Sequence, residues 1–135
     1  MTQYERKLVY IVDDDPDDRQ IILDAFLEHH SDFDYVFIES ANELIKILEE
    51  TNVSDYPSLI LLDLNMPGML GMQALKKIKG NKQFAQIPIV VLTTSTLKSD
   101  KKLSYEMGAN CFISKPSRYH ELVTITDSIS KVWFQ

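Results

Sequence analysis

The chain has 135 residues, 44% of them hydrophobic and 25% charged, which fits one globular domain that buries its own core without crosslinks. Its single cysteine excludes an internal disulfide. The net charge of −6, with lysines scattered along the chain, gives no basic stripe for a nucleic acid to follow.

No apolar run approaches the ~18 residues of a membrane span, and Met1 to Lys7 is too polar for a signal peptide. A cytoplasmic protein is expected. Short apolar runs then alternate with segments of helical period. The first run, Leu8 to Val12, reads LVYIV. Asp15 and Pro16 after it read as an N-cap and a proline at the first helical position. They open a helix over about Asp17 to His30, with Ile21, Ile22, Ala25 and Phe26 on one face. The second run is Tyr35 to Ile38 (YVFI), followed by a helix over about Asn42 to Glu50, with Ser40 as cap and Leu44, Ile45 and Leu48 inward. The third, Leu59 to Leu62 (LILL), precedes a helix over about Met72 to Lys79. The fourth, Ile87 to Leu92 (IPIVVL), precedes a helix over about Ser99 to Met107 that stops at Gly108. The fifth, Cys111 to Ile113 (CFI), leads into a last helix over about Arg118 to Phe134. Continuous apolar runs suggest strands covered on both faces, as in a parallel sheet. Five strand–helix repeats predict a doubly wound α/β fold with helices on both sides.

In such folds ligands bind beyond the carboxyl ends of the strands. Asp13, Asp14 and Asp15 follow the first run, and Asp63 follows the third. Thr93, Thr94 and Ser95 follow the fourth, and Lys115 follows the fifth. Several carboxylates on one sheet edge repel one another unless a cation is supplied. Oxygen ligands without His or Cys suit a hard ion such as Mg²⁺. A cation, a lysine and a hydroxyl around one carboxylate are the parts that stabilise a transferring phosphoryl group. Asp15, Asp17 and Asp18 read instead as caps and dipole partners of the first helix. Cys111 reads as a small buried hydrophobe, and Met66, Met69 and Met72 as packing around the loop after Asp63. His29, His30 and His120 lack metal spacing and read as surface residues.

The segments Ile11 to Asp15 (IVDDD), Leu61 to Gly68 (LLDLNMPG), Ile89 to Ser95 (IVVLTTS) and Ser114 to Pro116 (SKP) resemble the receiver domains of two-component response regulators. The resemblance covers nearly the whole chain and implies a flavodoxin-like five-stranded parallel sheet of order 2-1-3-4-5. It implies one receiver domain over 1–135, with a core of about 7–134. It makes Asp63 the phosphoacceptor and gives Mg²⁺ to Asp13, Asp14, Asp63 and the main-chain carbonyl of Asn65. It makes Thr93 the hydroxyl switch residue, Lys115 the phosphate-pairing lysine and Phe112 the switch aromatic. Pro67 and Gly68 fit the turn after the acceptor, and Pro116 matches a proline whose preceding peptide is usually cis.

A histidine kinase or phosphotransfer protein is then the expected donor, and no enzymatic activity beyond Mg²⁺-dependent self-phosphorylation and self-dephosphorylation is expected. A flavodoxin-like cofactor site would want glycines and hydroxyls where this chain has Asp13 to Asp18. A haloacid-dehalogenase-type hydrolase would want aspartate at Asn65. Only residues 116–135 follow Lys115, so no output domain is expected and output is read as contact with a downstream protein. The loop about Lys79 to Pro88 and the aromatic tail resemble small regulators associated with phytochrome-like kinases. On the last helix Leu122, Ile125, Ile129 and Val132 are expected to face the sheet. Tyr119, Val123 and Phe134 are expected on a neighbouring stripe that could pair two copies into a homodimer.

Overall fold

The computed structural model describes residues 6–66 and 70–134. Five parallel strands, β1 (Leu8–Val12), β2 (Asp34–Ile38), β3 (Leu59–Leu62), β4 (Ile89–Thr93) and β5 (Cys111–Ser114), pair in the order β2-β1-β3-β4-β5. The helices are α1 (Pro16–Leu27), α2 (Ala41–Glu50), α3 (Gly71–Lys79), α4 (Lys98–Glu106) and α5 (Tyr119–Trp133). This is the doubly wound α/β fold that the alternating pattern predicted, in the flavodoxin-like order that the resemblance implied.

Alternation along each strand builds two apolar layers. Tyr10, Val12, Ile60, Leu62, Ile89 and Val91 point to one face, where Leu44 and Leu48 of α2 and Leu75 and Ile78 of α3 cover them. Val9, Ile11, Leu59, Leu61, Val90 and Leu92 point to the other, under Ile22, Ala25 and Phe26 of α1 and Leu122 and Ile129 of α5. Ile21 departs from its predicted inward position and is exposed. So do Val36 and Phe37 of β2, because β2 is an edge strand rather than a central one. β4 begins two residues later than its apolar run. Pro88 has no N–H to give the ladder, although its carbonyl accepts from Ile60 N–H at 2.9 Å.

The segment between α3 and β4, read as a long loop, is a series of turns held by one lysine. Lys79 Nζ donates to the carbonyls of Ala85 at 3.1 Å and Ile87 at 2.7 Å. Gly108, in the left-handed region at φ 104°, passes over the Lys79 stem. No helix among the described residues is long and apolar enough to cross a membrane.

Candidate functional site

Ladder hydrogen bonds that run one residue past the strands fix the site. Asp13 N–H donates to the Ile38 carbonyl at 3.0 Å, and Asp63 N–H to the Val12 carbonyl at 3.0 Å. Lys115 N–H donates to the Thr93 carbonyl at 2.8 Å. Asp13, Asp63, Thr93 and Lys115 therefore gather at the carboxyl edge of the sheet. Gly71, which the sequence reading passed over, seals this edge from behind. A Cβ there would lie 2.3 Å from the Asp63 carbonyl oxygen and 2.7 Å from Leu64 Cα. Only glycine lets α3 start directly against the main chain of Asp63.

The carboxylates differ in surroundings. Asp13 is 1% exposed, its Oδ1 accepting from Asp15 N–H at 3.0 Å and its Oδ2 from Lys115 Nζ at 2.6 Å. Asp63 is 6% exposed, with Oδ1 accepting from Asn65 N–H at 3.2 Å and Oδ2 lying 3.5 Å from Lys115 Nζ. Asp14 is exposed. Asp15 caps α1, its Oδ1 accepting from Asp17 N–H at 2.9 Å. Asp18 does more than the cap role read for it, since its Oδ2 accepts from Lys115 Nζ at 2.9 Å. Burial opposes the Lys115 charge, but the hydrogen bonds to Asp13 and Asp18 and the nearby Asp63 charge outweigh it, and its pKa rises. Burial also pushes the Asp13 carboxyl up, against the pull of Lys115 and Asp15 N–H. A contact of 2.6 Å is that of a charge-assisted pair, ammonium against carboxylate.

One ammonium cannot neutralise this cluster. Asp13, Asp14 and Asp63 can each turn one carboxylate oxygen to a common centre, the three atoms within 4.8 Å of one another. An all-oxygen, surplus-anionic set fits a hard divalent cation.

Thr93 is fully buried, its Oγ1 within 3.4 Å of Asn65 Nδ2. The Asn65 side chain thus faces the Thr93 hydroxyl, a contact not anticipated. Phe112 is half-buried against the α2–α3 layer, and its N–H donates to the Tyr105 hydroxyl at 3.1 Å. It lines a cleft of about 350 Å³ with Leu97, Lys101 and Ile113. No cis peptide bond occurs among the described residues, so the expected cis bond before Pro116 is trans. Trans is the lower-energy isomer by about 0.5–1 kcal/mol, and Lys115 reaches Asp13 from it without the alternative geometry. The turn expected at Pro67 and Gly68, and Met69, lie outside the described residues.

His29 and His120 are exposed, as read, while His30 is half-buried. His29 Nδ1 and His30 Nε2 share the Asp127 carboxylate at 2.9 and 3.0 Å, tying the end of α1 to α5. On α5, Leu122 and Ile129 are buried as predicted, but Val132 is 66% exposed. Phe134 is not bare: it meets the Phe33 ring edge-on at 4.9 Å.

Comparison with known proteins agrees with this arrangement. A family model for the response regulator receiver domain matches residues 9–127. The chain is 30% identical to the response regulator Rcp1 of Synechocystis over 132 residues, covering 96% of this chain and 90% of that protein. Three further relatives are longer, and the chain spans 49%, 56% and 34% of them. Among solved structures it is similar to the phosphorylated cyanobacterial phytochrome response regulator RcpA, with TM-score 0.89, 30% identity and coverage of 97% and 96% of the two chains. It is also similar to the Mn²⁺-bound form of Rcp1, with TM-score 0.84, 29% identity and coverage of 96% and 95%. The chain belongs to the response regulator receiver-domain family.

Proposed function

We propose that Asp63 is the residue that accepts a phosphoryl group from a histidine kinase or phosphotransfer protein, with Mg²⁺ as the metal. The supporting observation is the unequal commitment of the carboxylates. Both Asp13 oxygens are taken up, by Asp15 N–H and by Lys115 at 2.6 Å. Asp63 Oδ2 has only the ammonium at 3.5 Å, which leaves it able to attack. Attack on phosphorus forms an O–P bond as the P–N bond to the donor imidazole breaks, the electron pair leaving with the imidazole. Lys115 and the Thr93 hydroxyl stabilise charge on the phosphoryl oxygens. Asp14, Asp63 and the Asn65 carbonyl, with Asp13 acting through water, would hold Mg²⁺, which would supply further positive charge there.

Drawing Thr93 and Lys115 toward a phosphoryl group would take Lys115 off Asp18 and give the Phe112 ring room to move. Leu97 and Tyr105 are exposed beside Phe112 and would present the change to a downstream protein or a second copy of the chain. The similarity to the cyanobacterial phytochrome response regulator RcpA supports a phytochrome-type kinase as donor, and a cytoplasmic receiver without further catalytic activity suits that role. Labelled acetyl phosphate tests the assignment. Wild type should take up label only with Mg²⁺, and Asp63→Asn should not. Equal labelling of Asp63→Asn would remove the residue from this role.

A further inference from the structure

Asp14 is the odd member of the acidic cluster. It is exposed, and among the described residues no hydrogen bond or ion pair holds its carboxylate. Asp13 is anchored at every polar atom. Its N–H goes to Ile38, its Oδ1 to Asp15 N–H and its Oδ2 to Lys115. Its carbonyl accepts from Arg19 Nη1 at 2.8 Å. That carbonyl belongs to the peptide joining Asp13 to Asp14. The peptide unit is planar, so holding its oxygen holds the plane of that peptide and the position of Asp14 Cα, from which the side chain departs.

Arg19 is itself held. It lies one turn into α1, with its guanidinium carbon 5.6 Å from the centre of the Phe37 ring on β2. Its Nε is buried with no partner among the described residues. A buried donor left unpaired is costly, so the guanidinium is kept there by the Asp13 carbonyl and the ring rather than by a hydrogen-bond network of its own. Helix α1 and the edge strand β2 thus clamp the peptide before Asp14 from outside the acidic cluster.

We propose that Arg19, seated on Phe37, is a positioning residue for metal binding: it orients the Asp13–Asp14 peptide so that the otherwise unrestrained Asp14 carboxylate faces the cation. The inference rests on the reading of Asp13, Asp14 and Asp63 as a divalent-cation site. Supporting groups of this kind typically change metal affinity by roughly 10–100-fold when removed. The opposite outcome is equally definite. If Arg19 acted only as a nearby positive charge, removing it would tighten cation binding.

The test is titration of the metal-free full chain with Mn²⁺ alone, free Mn²⁺ being read by electron paramagnetic resonance, with thermal unfolding measured in parallel. Wild type, Arg19→Met, Arg19→Lys, Phe37→Leu and Asp14→Asn are compared. Arg19→Met should weaken Mn²⁺ binding roughly tenfold. Arg19→Lys, which keeps a donor and the charge, should recover most of the loss. Phe37→Leu, which removes the seat but not the donor, should fall between Arg19→Met and wild type. Unchanged or tighter Mn²⁺ binding by Arg19→Met overturns the proposal, as does a loss of unfolding temperature without a loss of affinity. Should Arg19→Met not fold, Phe37→Leu decides alone, weaker binding supporting the proposal and wild-type binding overturning it. Wild-type Mn²⁺ binding by Asp14→Asn would instead overturn the metal-site reading itself.

Discussion

Lys115 is the cation that draws three carboxylates of the site together. It meets Asp13, Asp18 and Asp63 at 2.6, 2.9 and 3.5 Å, and its side chain is only 13% exposed. Removing it leaves Asp13 buried without a counter-charge, a change that costs about 3–5 kcal/mol when a pair is fully buried. Lys115→Met should therefore lose roughly 2–4 kcal/mol near neutral pH. The Asp13 carboxyl, already pushed up by burial, would rise further. A carboxyl with a raised folded-state pKa contributes stability that is present below its unfolded value and lost as pH rises through the folded one. The deficit should shrink toward about pH 5, and Mg²⁺ should restore part of it. Urea unfolding at both pH values checks this, and a pH-independent deficit would contradict it. The strand-end residues were legible because each directly follows an apolar run. Asp18 was not, because it meets Lys115 from the first turn of a helix and no linear spacing joins the two. Arg19 and the trans bond before Pro116 were hidden for the same reason: both depend on what surrounds them in space.

Two elements show how little room the site leaves. α3 begins at Gly71 against the Asp63 and Leu64 main chain, and backbone atoms cannot swing aside as a side-chain end can. Gly71→Ala should cost about 1–3 kcal/mol, in the range of an overpacked core. It should also slow phosphorylation by acetyl phosphate at least about tenfold through a displaced Asp63. Wild-type rates would show that α3 yields without moving the acceptor. Across the molecule, α5 is rotated from the face its aliphatic residues suggested. Thr126 and Ser130 are buried while Val132 is exposed. Thr126 Oγ1 donates to the Val123 carbonyl at 2.9 Å, and Ser130 Oγ to the Thr126 carbonyl at 2.8 Å. Hydroxyls bonded to their own helix pack as small residues, so an apolar periodicity count misplaces the buried stripe.

The α1–α5 seam adds a pH dependence of its own. Slight burial would raise the Asp127 carboxyl, but hydrogen bonds from His29 and His30 outweigh it and hold it below the usual range. Stability from a depressed carboxyl is present above its unfolded pKa and lost as pH falls through the folded value. Asp127 is 41% exposed, so the effect should stay under about 1 kcal/mol. Asp127→Asn should flatten the acid limb of the stability–pH curve and leave phosphorylation unchanged. An unaltered acid limb would mean that the seam carries no such linkage.

At the scale of the molecule, the parallel sheet gathers the candidate site at one edge. Five strands between two helical layers were legible because the apolar runs are short, β-branched and separated by helical periods, whereas the order β2-β1-β3-β4-β5 followed only from the family resemblance. The aromatic tail was misread because Phe33, which covers Phe134, lies in a turn that carries no periodic pattern. The acceptor assignment underlies every functional statement, and it can be read from one modified side chain. An acyl phosphate is reduced by borohydride to the alcohol, which marks the acceptor permanently. Phosphorylated protein treated in this way and mapped by peptide mass spectrometry should carry the reduced residue at position 63 alone. The mark at Asp13 or Asp14 instead would contradict the account.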